Sequence, residues 1–494
     1  MTIENSPEKW PESDCLSANS RSGVYMPPKL RALFSASLPA VMFFSPPTSA
    51  EETDLDRYVH APDEAYEFEL MQTDSHEDIT YHAIKMVSQT WLSEEEVDKP
   101  TWWHWLNLYV PENLKSEVAL LVISGGSTRS DHPRDPDQTF LDTALATGNV
   151  VAELRMVPNQ PLIFHNDGKE RFEDDLVAYG WDKYLRSGES KWLARLPMTK
   201  SAIRGMDTTI EFLSQPEGGE VSIEKFVVAG ASKRGWTTWM TAAVDNRVTA
   251  IAPIVIDMLN SVPSFEHHFA SYGEYSPAVG DYVRHGIMNW QGTPEYEKLL
   301  SIVDPYHYRQ RLTLPKLMIN SAGDQFFLPD SSRFYFEDLI GPKYLRYVAN
   351  TDHSLKGSDA AQTLAAWQHM ISSGLPLPIF DWSIDWEKGS IRVESEDTPK
   401  NLTLWQAHNP DARDFRLETI GPAWKASEVT LDSNGAGEFF VEEPDEGWTA
   451  FFLEVAYPLG DFPAPFKITT GVAVVPDTRP FEEKLNEVKQ KVSR

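Results

Sequence analysis

The sequence predicts an α/β fold, a mostly parallel sheet with helices on both faces, followed by a small all-β unit. Three observations predict it. Apolar runs at Val118 to Ser124, Asn149 to Leu154, Lys225 to Gly230, Thr249 to Ile256 and Leu314 to Ser321 have the texture of buried parallel strands, with loop signals and helical periodicity among them. One of them, ending at Gly230, turns through a serine directly into a helix. Beyond Leu375 the pattern changes to short alternating runs broken by turn residues, the rhythm of a β-sandwich.

The elements follow in chain order. A segment starting at Met26 places Lys29 and Arg31 before a charge-free stretch from Ala32 to Phe44, then Thr48-Ser49-Ala50 before Glu51. Basic residues, a short apolar core and small residues at the cut describe a signal peptide, residues 26–50, cleaved after Ala50 in a chain started at Met26. The expected location is therefore periplasmic or secreted. From Asp54 to Glu96, YEFEL and ITYHAIKMVSQTWL alternate, and WWHWLNLYVP follows, as in leading antiparallel strands. Ile203, Met206, Ile210 and Leu213 share one face of a helix expected over Thr199 to Ser214. The aromatic-rich stretch between Ile256 and Leu314, about 55 residues, exceeds what a simple crossover needs and suggests a helical cap. LPLPIFDW reads as a linker, after which SIRVES, NLTLWQAH, SEVTL, GEFFVEE and TAFFLEVAY supply the strands of the β unit. The expected organisation is an extension over 1–50, an α/β domain over 51–378 with its cap at about 258–313, a β-sandwich domain over 379–476 and a charged helical tail over 477–494.

Composition removes several functions. The chain of 494 residues is 41% hydrophobic and 24% charged, ordinary for a globular enzyme. Its 44 Lys plus Arg against 74 Asp plus Glu leave a formal charge of −30, a field that repels phosphate backbones, so no nucleic-acid partner is expected. Cys15 is the single cysteine, which excludes an intramolecular disulfide and a cysteine zinc cage. No run approaches the roughly 18 apolar residues of a membrane span.

The chemistry concentrates in KFVVAGASKRGWTTWMTAAV, Lys225 to Val244. A serine on so tight a strand-to-helix turn has its hydroxyl pushed out at the carboxyl end of the sheet, which makes Ser232 the candidate nucleophile. Gly230 lies two residues before it, but Arg234 stands where a second glycine is usual, with Gly235 one place later. Serine needs a base and the base an orienting acid, here expected in the order Ser, Asp, His. Asp324, in LPKLMINSAGDQFFLPDS, follows a late strand, and His353, in KYLRYVANTDHSL, follows the last one. Rivals are Asp257, at another known acid position, and Asp330, which reads as a helix N-cap after Pro329. Asp352 reads as a turn residue. His267 and His268, in the cap, read as a packed or solvated pair without metal-binding spacing, so no metal site and no cofactor are expected.

The oxyanion donors are expected to be the backbone N–H of Lys233 and an amide of Ser124-Gly125-Gly126-Ser127, with Gly126 preferred. The Lys233 and Arg234 side chains are either offered to an anionic substrate group or solvated. Trp236 and Trp239, at helical spacing, suit a core; Trp236, beside the turn, is taken with Arg234 as a candidate substrate contact.

VVAGASKRGWTTW, NSAGDQFFLPDS, VANTDHSL, ELRMVPNQPLIF and LWQAHNPDARDFR together resemble the PhoPQ-activated pathogenicity-related family, which also takes in autocrine proliferation repressor-like proteins. The resemblance runs from Asp54 to about Val475. It implies an α/β-hydrolase fold, export from the cytoplasm and a small C-terminal β domain. By motif position Ser232, Asp324 and His353 match the family's expected triad, and Arg234 belongs to the family's own GASKRG form. Two functions follow as expectations. One is an exported serine hydrolase cleaving an ester or amide in a small-molecule, glycan-ester or peptide substrate. The other is an exported, non-catalytic signalling or virulence-associated binding protein on the same scaffold, with the β domain as its recognition surface.

Overall fold

The alternating runs near the start form a meander of β1 (Glu67–His76), β2 (Ile79–Thr90) and β3 (Thr101–Pro111), antiparallel throughout. The computed structural model describes residues 52–492 apart from 131, 398 and 400, so the expected signal peptide and Cys15 lie outside the described residues. The apolar runs that follow become β4 (Val118–Ile123), β5 (Val151–Leu154), β6 (Lys225–Ala231), β7 (Val248–Ile254), β8 (Lys316–Ser321) and β9 (Lys343–Val348). They lie in the order β3-β5-β4-β6-β7-β8-β9, parallel from β5 onward. An antiparallel leading edge, a swapped β5-β4 pair and a parallel run behind it make this an α/β-hydrolase fold.

The helices of this part are α1 (Asp54–His60), α2 (Gln138–Thr147), α3 (Glu173–Ser187), α4 (Arg195–Leu213), α5 (Lys233–Val244), α6 (Ser261–Tyr272), α7 (Gly280–Arg284), α8 (Pro294–Val303) and α9 (Ala360–Ser372). The strands feed two cores alternately, because successive side chains point to opposite faces. Ala119, Leu121, Phe226 and Val228 pack with Met206 of α4 and Trp239 of α5. Leu120, Val227 and Ala229 pack with Leu141 of α2 and Trp367 of α9. The stretch between β7 and β8 folds into α6, α7, α8 and intervening 3-10 turns. The helix expected from Thr199 starts four residues earlier, at Arg195, and Pro197 is accommodated in its first turn, where a missing N–H costs nothing.

The C-terminal runs form β10 (Phe380–Asp385), β11 (Ser390–Ser395), β12 (Asn401–Asn409), β13 (Lys425–Glu428), β14 (Ala436–Phe440), β15 (Trp448–Tyr457), β16 (Phe466–Thr469) and β17 (Ala473–Val475). They build two antiparallel sheets. Ile391 and Val393 of the smaller sheet, β10-β11-β14, pack against Phe451, Leu453 and Val455 of the larger. The larger one does not stand apart. Thr469 of β16 pairs with Leu345 of β9, and Tyr347 N–H donates to Thr469 Oγ1 at 3.0 Å, which extends the central sheet to fourteen strands. An open β9 edge would expose unpaired backbone groups, and the C-terminal strands cover it. No described helix is long and apolar enough to cross a membrane.

From β4 the chain passes to β5 on one side and only later to β6 on the other. At such a reversal the loops leaving the carboxyl ends of the two strands splay apart and open a crevice. The Ser124–Ser127 loop and the Ser232 turn are those two loops.

Candidate active site

Ser232 has φ 57° and ψ −121°, a conformation an L residue adopts at a cost of about 1–3 kcal/mol. Its amide donates to Ile254 O of β7 at 2.8 Å, which ties the turn to the sheet. The glycines explain the unusual sequence. A Cβ on Gly230 would lie 2.6 Å from Arg234 O, and one on Gly235 would lie 2.7 Å from Ile256 Cγ2 and 2.9 Å from Gly230 O. The second close approach thus falls three residues after the serine, so Gly235 is needed there and Arg234 is not in the way.

Arg234, expected as a substrate contact, turns back into the protein instead. Its Nη1 and Nη2 donate to the Glu173 carboxylate at 2.9 and 2.6 Å, and its Nε donates to Val157 O. Lys233 is buried too, its Nζ 2.8 Å from Asp174 Oδ2 and 3.3 Å from Glu173 Oε2. Burial alone would raise the Glu173 pKa, but the Arg234 and Lys233 cations hold it at about 2. Neither cation is a solvated first-turn side chain. Trp236 is buried, with Nε1 donating to Val303 O, and its ring reaches the cavity described below.

Asp324 and His353 are brought together. The carboxylate accepts from His353 Nδ1 at 2.8 and 3.0 Å and from Phe326 N–H at 2.7 Å. His353 N–H donates to Gln325 Oε1 at 3.0 Å, and the imidazole lies over Phe326 with 4.3 Å between ring centroids. With its proton on Nδ1 facing a carboxylate, the ring carries its lone pair on Nε2. Nε2 is buried and makes no hydrogen bond to any described group, Ser232 Oγ included. Ser232 lines a narrow cavity together with Phe326 and Phe327, the rings against His353, and with Lys233, Trp181 and Trp236.

Gly126 has φ +138°, which favours glycine, and a Cβ there would come 3.2 Å from Met156 Cγ. The loop is held from behind. Met156 N–H donates to Gly125 O at 3.0 Å, Val157 N–H to Ser124 O at 3.1 Å, and Gln160 Nε2 to Gly126 O at 2.9 Å. Gln160 also bonds Glu173 through Nε2 (2.6 Å) and accepts from its amide (2.7 Å), while a Cβ on Gly125 would lie 2.7 Å from Arg234 Nη2. Lys233 is the first residue of α5, so its amide has no partner within the helix ladder. Gln160, Glu173, Asp174 and Arg195 were not anticipated from sequence. For Gln160 the signal available was ELRMVPNQPLIF, the segment that braces the Gly125-Gly126 loop; nothing comparable marks the other three.

The rivals have other partners. Asp257 sits between the Tyr335 and Tyr347 hydroxyls at 2.5 and 2.6 Å, and burial pushes its pKa up to about 7. Asp330 stands at the N-cap position before Ser331 but makes no capping bond, a correction to its expected role. Its carboxylate is buried against His267 Nε2 (3.0 Å) and Arg413 Nη2 (2.7 Å). His268 is a packed histidine, accepting from Ser276 N–H at 2.9 Å. Asp352 accepts from Ser354 N–H at 2.9 Å, a turn contact.

The family described as PhoPQ-activated pathogenicity-related protein matches residues 55–416. Autocrine proliferation repressor protein A of Dictyostelium discoideum is 39% identical over 482 residues, covering 92% of this chain and 95% of its own. Among solved structures, an acetyl xylan esterase from a Paenibacillus species is similar at 18% identity with a TM-score of 0.45, over 66% of this chain and 96% of that one. Acetyl xylan esterase 1 from a Thermoanaerobacterium species is similar at 14% identity with a TM-score of 0.44, over 64% and 93%.

Proposed function

The chain belongs to the PhoPQ-activated pathogenicity-related family, and from that premise we propose that it is an exported serine hydrolase cleaving an ester or amide bond. The observation that carries this reading is the Asp324–His353 pair, 2.8 Å apart, with Nε2 unbonded and the imidazole against Phe326 and Phe327, whose rings line the cavity that Ser232 lines. His353 Nε2 takes the Ser232 proton as Oγ attacks the substrate carbonyl, and Asp324 holds the resulting imidazolium. The amides of Lys233 and Gly126 receive the oxyanion. The proton then passes to the leaving group, and water, deprotonated by the same imidazole, releases the acid and restores Ser232.

A second reading is favoured by the name of the 39% identical relative, a proliferation repressor: an exported signalling protein that keeps the scaffold without the chemistry. A fluorophosphonate probe separates the two. Labelling of the wild type that disappears in Ser232→Ala is expected, whereas a folded wild type that stays unlabelled leaves the signalling reading. The same preparation, recovered from culture medium or periplasm, is expected to begin at Glu51. An intact residue 1 in a cytosolic fraction would exclude export.

A further inference from the structure

The buried cations around the cavity outnumber the acids that pair with them by one arginine. Lys233 is taken by Asp174, and Arg234 by Glu173. Arg195, the first residue of α4, is 1% exposed and lines the same cavity as Ser232. Its Nη1 donates to Lys233 O at 2.8 Å, its guanidinium lies 4.7 Å from the Trp236 ring centroid, and the Tyr282 hydroxyl is its other neighbour. All three are neutral groups. Asp174 contributes to the field at Arg195, but its carboxylate is held by Lys233 Nζ at 2.8 Å and the Tyr282 hydroxyl at 3.1 Å. Among the described residues no carboxylate forms an ion pair with Arg195, and its Nε has no hydrogen-bond partner. Trp181 Nε1, a second buried donor on the cavity wall, has none either.

Arginine does not deprotonate to escape burial, and a buried cation is costly until something anionic meets it. The guanidinium fork suits a carboxylate, and apart from Ser232 and the mutually paired Lys233 and Asp174 the rest of the wall is aromatic and aliphatic. We propose that Arg195 anchors a carboxylate of the substrate, so that the cavity selects an apolar acyl or aryl group bearing an anionic end. The assignment of this group to a substrate rests on the hydrolase reading; the binding itself does not.

The test uses the full chain carrying Ser232→Ala, so that nothing turns over, and compares 4-phenylbutyrate with 4-phenylbutanamide by calorimetry. The acid is expected to bind about tenfold or more tighter than the isosteric amide. Adding Arg195→Met is expected to reduce that advantage below about threefold, and Arg195→Lys to keep part of it. If Arg195 only braces the first turn of α5, acid and amide change together. Equal affinities in Ser232→Ala, an acid preference that survives Arg195→Met in folded protein, or no binding of either ligand at millimolar concentration overturns the proposal. Should Arg195→Met fail to fold, the acid-against-amide comparison in Ser232→Ala decides alone. Failure of the hydrolase reading shows separately, as absent fluorophosphonate labelling of the wild type beside intact carboxylate binding.

Discussion

His353 has one ring nitrogen engaged and the other free, and this asymmetry sets its chemistry. Asp324 accepts from Nδ1 with both oxygens, which fixes the tautomer that leaves Nε2 able to take a proton. An asparagine at 324 keeps the shape, but its NH2 turned toward Nδ1 stabilises the opposite tautomer. Asp324→Asn is therefore expected to slow fluorophosphonate labelling by about 10⁴-fold while the melting temperature moves little. Labelling within tenfold of wild type would show that another acid orients the ring. Asp257 is the only rival weighed from sequence whose pKa is raised, to about 7, yet both its oxygens serve tyrosines. The residues of this pair could be read from the sequence because each follows directly on an apolar strand. Arg195 could not, since its partner is a backbone carbonyl 38 residues away and nothing in RLPMTK marks it.

At the scale of elements, the turn after β6 and the loop after β4 act as one unit because α3 begins between them. Glu173 receives Arg234 from α5, and Gln160 joins Glu173 to the Gly126 carbonyl, so the nucleophile and the loop opposite it share one partly buried brace. The GASKRG sequence read as a departure from a generic turn; in three dimensions the departure is the brace itself. The strand, the turn and the helix were legible because their signals are local. Arg234–Glu173 was not, because it joins positions 61 residues apart. Lysine at 234 would keep the charge but offer one direction of donation in place of a fork. Arg234→Lys is expected to leave the fold intact, lower stability by about 1–3 kcal/mol and slow probe labelling about tenfold, through looser Gly125 and Gly126 amides. Destabilisation with an unchanged labelling rate would confine Arg234 to folding.

At the scale of the whole molecule, the contacts that join the α/β part to the C-terminal strands include the β9–β16 pairing and a buried charge cluster. Asp330 follows β8, His267 lies on α6 and Arg413 follows β12; Asp477, near the C-terminus, pairs with Arg333 at 2.8 Å. The alternating runs beyond Leu375 announced the strands, but an edge that accepts another strand has no signature of its own, so continuity with the central sheet was invisible. Asp330 likewise looked like an N-cap because Arg413, 83 residues on, could not be seen to compete for it. Burial alone would raise the Asp330 pKa; Arg413 and His267 pull it well below the usual carboxylate range. A depressed folded-state pKa contributes stability that is full above the unfolded value of about 4 and is lost as the pH falls toward the folded one. Arg413→Met leaves the carboxylate buried and half-paired, a loss of about 3–5 kcal/mol at neutral pH. In that variant the Asp330 pKa rises, so acid now neutralises the stranded charge instead of breaking a pair. The gap in melting temperature between wild type and Arg413→Met is therefore expected to be widest at pH 7 and to narrow on acidification to about pH 4. A gap that is constant or grows in acid would mean that Arg413 stabilises the joint through packing and not through its charge.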